Sequence, residues 1–194
     1  AVYYKANGAG TLANSIVSEA SRYGIFVDSV NNALLSSRAR LADNKLVIRN
    51  NIFYNFGKGN TWDSIAARSG SFLNYLPTNS NDLQDPLFKK LSWPKVSDST
   101  TFKTDSLLDP RSTAAIASQN LASIASDGFF ENVSYRGAFS PTGAVWARGW
   151  STLARFGMFS TDAVTVTAAE SDESVVKGLS PQLSGSGILR TLTW

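Results

Sequence analysis

The apolar segments in the first 60 residues are short, β-branched or aromatic, and set apart by Asn, Gly and Ser; this pattern constrains the fold more than any other feature. The segments are Thr11 to Val17, Tyr23 to Val27, Lys45 to Ile48 and Asn51 to Phe56. Each is too short to stand alone as a helix and is rich in side chains that pack on a pleated surface, so each reads as a strand. Asn31-Asn32 and Asn50-Asn51 fall between segments, and asparagine tolerates the left-handed backbone that a corner needs. Leu12 to Tyr23 carries a competing helical pattern through Leu12, Ile16 and Glu19. The serines within it and the glycines at positions 10 and 24 favour strand.

At 194 residues, 43% apolar and only 17% charged, the chain has the material for a sizeable core and too little charge to stay expanded. From Thr61 to Ser126 the character changes. Pro77, Pro86, Pro94 and Pro110 sit among Ser, Thr, Asn and Asp, which predicts loops, with Asp85-Pro86 and Asp109-Pro110 as turns. The Ala- and Ser-rich run Ser112 to Ser126 predicts one short helix. Next comes an aromatic stretch from Phe129-Phe130 through Tyr135-Arg136-Gly137-Ala138-Phe139 to Trp146 and Trp150, which reads as a packed cap. Ala163 to Ala168 and Gly187 to Trp194 alternate like strands on either side of a polar linker, Glu170 to Gly187. The parts are therefore 1–60, 61–126, 127–160 and 161–194.

With no cysteine and no histidine, thiolate catalysis, Cys/His zinc sites and the Ser-His-Asp triad are excluded. The net charge of +3 is spread along the chain, with Arg38/Arg40 and Lys89/Lys90 as its densest groups. A nucleic-acid binder concentrates its cations on one face, so no DNA or RNA partner is expected. No run approaches the length of about 18 apolar residues that a membrane span needs. Ala1 to Gly10 also lacks the charged and then apolar profile of a signal peptide.

Two stretches carry a resemblance. One comprises the strand-and-asparagine segments Gly10 to Val17 and Leu46 to Phe56. The other is the order Leu108-Asp109-Pro110-Arg111, Asp127-Gly128-Phe129-Phe130 to Phe139, Trp146 and Gly149-Trp150-Ser151. Across roughly Gly10 to Phe159 the chain resembles the C-terminal end of right-handed parallel β-helices found in exported and surface proteins of Bacteroidota-like bacteria. The resemblance implies an all-β fold: the last rungs of a short parallel β-helix in 1–60, a loop-rich insertion in 61–126, an aromatic cap in 127–160 and an extension in 161–194. Leu12, Ile16, Ile25, Val47, Ile52 and Phe53 would then share a solenoid core closed by the aromatic cap. On that reading Trp150→Ala costs about 3–5 kcal/mol as a buried truncation. The exposed first rung would be covered by upstream rungs of a longer chain or by another subunit, with Ile188 to Trp194 as the exchanged strand.

The resemblance further implies an extracellular or cell-surface address and a non-catalytic structural or adhesive role, with a glycan or a surface protein as partner. Two alternatives remain: a fragment of a β-helix polysaccharide lyase or glycoside hydrolase, and a subunit of a self-assembling extracellular filament. Trp62, Tyr75 and Trp93 are the candidate glycan-stacking aromatics, because sugar rings stack on flat apolar faces. Asn79, Asn81, Asp82 and Asp85 form an oxygen-rich candidate calcium loop, although such side chains more often cap turns. No other cofactor is expected. Tyr135 and Arg136 suit a polysaccharide groove, with packing inside the cap the stronger reading. The Asp-Ser/Thr-apolar tripeptides, with Ser29, Ser64, Ser99 and Ser106 as acceptors, are similar to the O-glycosylation signal of the same bacterial group.

Overall fold

Asparagine takes the left-handed backbone at the corners. In the computed structural model, which describes residues 1–29, 36–66, 72–91, 108–124 and 128–159, Asn14 and Asn50 have φ of 51° and 57°. Asn14 joins strand β2 (Gly10–Ala13) to β3 (Ile16–Ser18), and Asn50 joins β5 (Leu46–Arg49) to β6 (Ile52–Tyr54). Because both corners turn alike, β2 lies parallel on β5 with Gly10 opposite Leu46, and β3 lies parallel on β6 with Ile16 opposite Ile52. A third strand, β7 (Asp82–Leu83), adds to β6 in the same direction. Strand β1 (Val2–Tyr4) pairs parallel with β4 (Ile25–Val27).

Turning the chain at a corner removes strand-to-strand hydrogen bonds, and buried asparagines replace them. The Asn51 carboxamide accepts from the Ser15 N–H at 3.0 Å and donates to the Leu12 carbonyl at 3.0 Å. Asn81, stacked beneath it, accepts from the Asn51 N–H and donates to the Ile48 and Leu76 carbonyls. Both side chains are buried and satisfied.

The core lies between the strands and the segments that return over them: Ile25, Val27, Leu46, Ile48, Phe53, Phe56, Ile65 and Leu76 are buried. Of the six residues expected inside, Ile25, Ile52 and Phe53 are fully buried, Leu12 packs at the margin, and Ile16 and Val47 are half-buried. In β5, Leu46 and Ile48 point inward, which turns Val47 to the other face of the strand.

The architecture corrects the all-β reading and its short right-handed parallel β-helix. Helices occupy α1 (Ser37–Ala42), α2 (Trp62–Ile65), α3 (Phe72–Thr78), α4 (Ala114–Ala117) and α5 (Thr152–Arg155), with a 3-10 turn at Trp146–Gly149. The sheets hold two or three strands each and none closes; one, β8 (Phe88–Lys90) with β9 (Asp109–Ser112), is antiparallel. The reason is local. Ala, Arg and Leu in α1 are good helix formers, and the Ser36 side chain accepts from the Ala39 N–H to start the helix. A reciprocal Thr61/Ser64 capping box does the same for α2.

Two further expectations change. Asp109-Pro110-Arg111 is strand β9 rather than a turn, and the described residues of 61–126 also include α2, α3, β7, β8 and α4. Side chains two apart share a strand face, so Arg111 grips Asp109 through both carboxylate oxygens at 2.8 and 2.6 Å and also donates to the Gly143 carbonyl. The predicted helix in 112–126 is present as α4. The aromatic cap does not close a core: Phe129, Phe130, Trp146 and Trp150 are 82%, 54%, 54% and 69% exposed. Trp93, Ser99, Ser106, the strand-like runs at 163–168 and 187–194 and the linker 170–187 lie outside the described residues. Among the described residues no helix is long and apolar enough to cross a membrane.

Candidate functional site

The segment following Gly128 crosses the β2–β3 corner and is fastened to it by backbone. Gly137 N–H donates to the Asn14 carbonyl at 2.7 Å and Arg136 N–H to the Ala117 carbonyl at 2.8 Å. The Asn14 carboxamide exchanges two further hydrogen bonds with the Ala122 backbone, at 3.0 and 2.7 Å. The close approach depends on Gly137, whose φ is 92° and whose missing Cβ would stand 2.9 Å from Ile16 Cδ1.

Under this crossing the Arg136 side chain is wholly buried. It reaches Asp82 at 2.6 Å and donates to the Ile116 carbonyl at 3.2 Å, and Asp82 also accepts from the Asn120 carboxamide. Neighbouring Tyr135 goes the other way and lines an open cleft of about 420 Å³. Phe130, Glu131, Val133 and Tyr135 line it together with the corner from Ala13 to Ile16 and with Ile124. Asn14 and Ser15 spend their side chains on backbone, Ser15 by donating to the Ala13 carbonyl. The Tyr135 hydroxyl and the Glu131 carboxylate hold no hydrogen bond or ion pair among the described residues. A smaller recess of about 150 Å³ continues past Gly137 and Ala138 toward Phe139, with Arg136 in its lining.

At the Phe139 end three rings stack. Phe139 and Trp146 lie 5.3 Å apart, Trp146 and Trp150 5.6 Å apart, each pair within 20° of parallel. The Trp146 indole N–H donates to the Ala138 carbonyl at 2.7 Å, which fixes the middle ring to the cleft wall.

Two of the three aromatics expected to stack on sugar, Trp62 and Tyr75, have other contacts. Trp62, on α2, is half-buried and meets Phe53 edge-on at 6.4 Å. Tyr75, on α3, is half-buried and its hydroxyl accepts from the Ile48 N–H at 3.3 Å. The candidate calcium loop is likewise engaged in the fold. Asn79 donates to the Tyr75 carbonyl, Asn81 bridges the corner, Asp82 pairs with Arg136, and Asp85 accepts from the Leu87 N–H at 2.8 Å. The Tyr54 hydroxyl also bonds Asp85, and that bond together with burial raises its pKa above the usual phenol value. Among the described residues no three His, Cys, Asp or Glu side chains form a metal-holding group. Of the candidate acceptor serines, Ser29 is exposed, whereas Ser64 donates to the Thr61 carbonyl inside the α2 capping box.

Tyr135 and Arg136 are adjacent in sequence, yet one lines the cleft and the other is sealed beneath it. Sequence reasoning placed Phe130 in the packed cap and did not single out Glu131, since dense aromatics beside glycine signal close approach without saying which rings stay outside. Comparison with known protein families, curated proteins and solved structures finds no match to this chain.

Proposed function

We propose that this chain is a non-catalytic glycan-binding module working outside the cell, and that the cleft beside Tyr135 is its binding site. The observation that carries the reading is the pairing of aromatic surface with unspent polar groups. Phe130 and Tyr135 offer apolar faces for the C–H side of a sugar ring, while the Glu131 carboxylate and the Tyr135 hydroxyl, with no hydrogen bond or ion pair among the described residues, can bond its hydroxyls. Among the described residues that line this cleft, Glu131 is the single carboxylate. Hydrolysis of a glycosidic bond calls on two carboxyl groups flanking the bond, so the reading is binding rather than cleavage. The polysaccharide-lyase alternative is weakened in the same way, because Asp82, its proposed calcium ligand, already faces the Arg136 guanidinium. The extracellular address draws on the Asp-Ser/Thr-apolar tripeptides, of which Asp28-Ser29-Val30 has an exposed serine.

Affinity electrophoresis through gels containing soluble plant, algal or bacterial polysaccharides tests this directly. At least one polysaccharide retards the wild-type protein, and Tyr135→Ala and Glu131→Gln each weaken that retardation by about tenfold, the scale of one lost stacking or charge-assisted contact. Equal retardation of all three proteins removes the cleft from the account; no retardation by any polysaccharide removes the glycan reading.

A further inference from the structure

Resting on the cleft as a glycan site, we infer that the ligand is a polymer chain rather than a single terminal sugar, and that Trp150 is a second sugar-stacking position along it. The rings of Phe139, Trp146 and Trp150 form a ladder with near-parallel planes. Its inner members are held, Phe139 by partial burial and Trp146 by the bond from its indole N–H to the Ala138 carbonyl. The outer member has one face against Trp146 and is still 69% exposed, so its other face is open. Aromatic rings that served only to fill a core would be buried. A ladder anchored at one end and open at the other presents a rigid, pre-ordered apolar plane, and a pyranose ring extends the stack at little entropic cost.

The position of the ladder supplies the link to a polymer. Ala138 lines the cleft, its carbonyl holds Trp146, and the next residue, Phe139, begins the ladder. From Tyr135 to Phe139 the backbone reaches at most about 14 Å even when fully extended, and ring steps of 5.3 and 5.6 Å lead on to Trp150, a reach for an oligosaccharide rather than a disaccharide. A chain with one unit against Tyr135 therefore runs along the Gly137-Ala138 wall toward Trp150. A monosaccharide or disaccharide fills the cleft alone.

Isothermal titration with cellobiose and cellohexaose, xylobiose and xylohexaose, and the di- and hexasaccharides of galacturonate separates the two levels of the account. In the series that binds, the wild-type protein holds the hexasaccharide about tenfold more tightly than the disaccharide, the scale of one added stacking contact. Trp150→Ala abolishes that preference and leaves the disaccharide affinity unchanged, and Trp150→Phe keeps most of it. Trp150→Gln replaces the alanine variant if its thermal unfolding shows a lost fold. A chain-length preference that survives loss of the Trp150 ring, or no such preference in the wild type, overturns this inference while leaving the cleft as a glycan site. Absence of binding in every series overturns both.

Discussion

The Arg136–Asp82 pair shows how one buried charge ties remote parts of the chain together. The guanidinium is fully buried and the carboxylate about one-quarter exposed, so removing the acid strands a cation that water cannot reach. Asp82→Asn is expected to cost about 3 kcal/mol, and Arg136→Met less, because methionine leaves no unpaired charge in the interior. Urea unfolding of both variants gives that order; the reverse order would mean that the pair is not the principal partner of Arg136. Gly137 makes a parallel case through backbone geometry. Its φ of 92° and the 2.9 Å approach to Ile16 predict a loss of about 1–3 kcal/mol for Gly137→Ala. The same variant tests the cleft wall, since its strain falls between Tyr135 and the ladder.

Among the elements, the Asp28 carboxylate joins three of them: it follows β4, accepts from the Ala6 N–H beyond β1 at 2.8 Å, and accepts from the Ser37 N–H at the start of α1 at 3.2 Å. Burial alone would raise its pKa; the hydrogen bonds from Ala6 and from Ser37, backbone and side chain, outweigh burial and hold it below the usual carboxylate value. The Asp109 carboxyl is also held low, chiefly by its hydrogen bond from the Arg111 side chain. A carboxyl with a depressed folded pKa contributes stability above the unfolded value of about 3.9, and that stability is lost as pH falls toward the lower folded value. Stability should therefore drop as pH falls below about 4, and Asp28→Asn and Asp109→Asn should each flatten that drop in acid titrations followed by circular dichroism. An unchanged acid limb in both variants would contradict the account. The strand character of Thr11 to Val17, Tyr23 to Val27, Lys45 to Ile48 and Asn51 to Phe56 was legible from their β-branched and aromatic side chains, and so was the corner at Asn50, whereas the corner at Asn14 that splits the first segment into β2 and β3 was not. The helices α1, α2 and α3 were not. They are six, four and seven residues long, too short for periodicity to stand out, and their starts depend on caps such as Ser36 and the Thr61/Ser64 pair.

At the scale of the whole molecule, the resemblance implied an all-β parallel solenoid capped by aromatics, whereas the described residues carry helices and small two- or three-stranded sheets, parallel and antiparallel, none of them closed. Hydrophobicity marks a tryptophan as worth burying without saying whether the fold or a partner buries it. Trp150 is 69% exposed, so Trp150→Ala is expected to change unfolding stability by no more than about 1 kcal/mol, well short of the cost of a buried truncation. Chelation gives a separate check on the oxygen-rich loop. With Asp82 committed to Arg136 and Asp85 to Leu87 and Tyr54, EDTA should leave both polysaccharide retardation and melting temperature unchanged; a calcium-dependent rise in either would restore the loop as a metal site. The central claim is that the cleft beside Tyr135 takes the sugar, and the most direct measurement is an amide NMR map of the protein titrated with the oligosaccharide that binds it. The account predicts shifts concentrated at Glu131, Tyr135 and the Asn14-Ser15 corner that vanish in Tyr135→Ala. Shifts concentrated instead around Trp62 and Tyr75, or a pattern that Tyr135→Ala leaves intact, would contradict it.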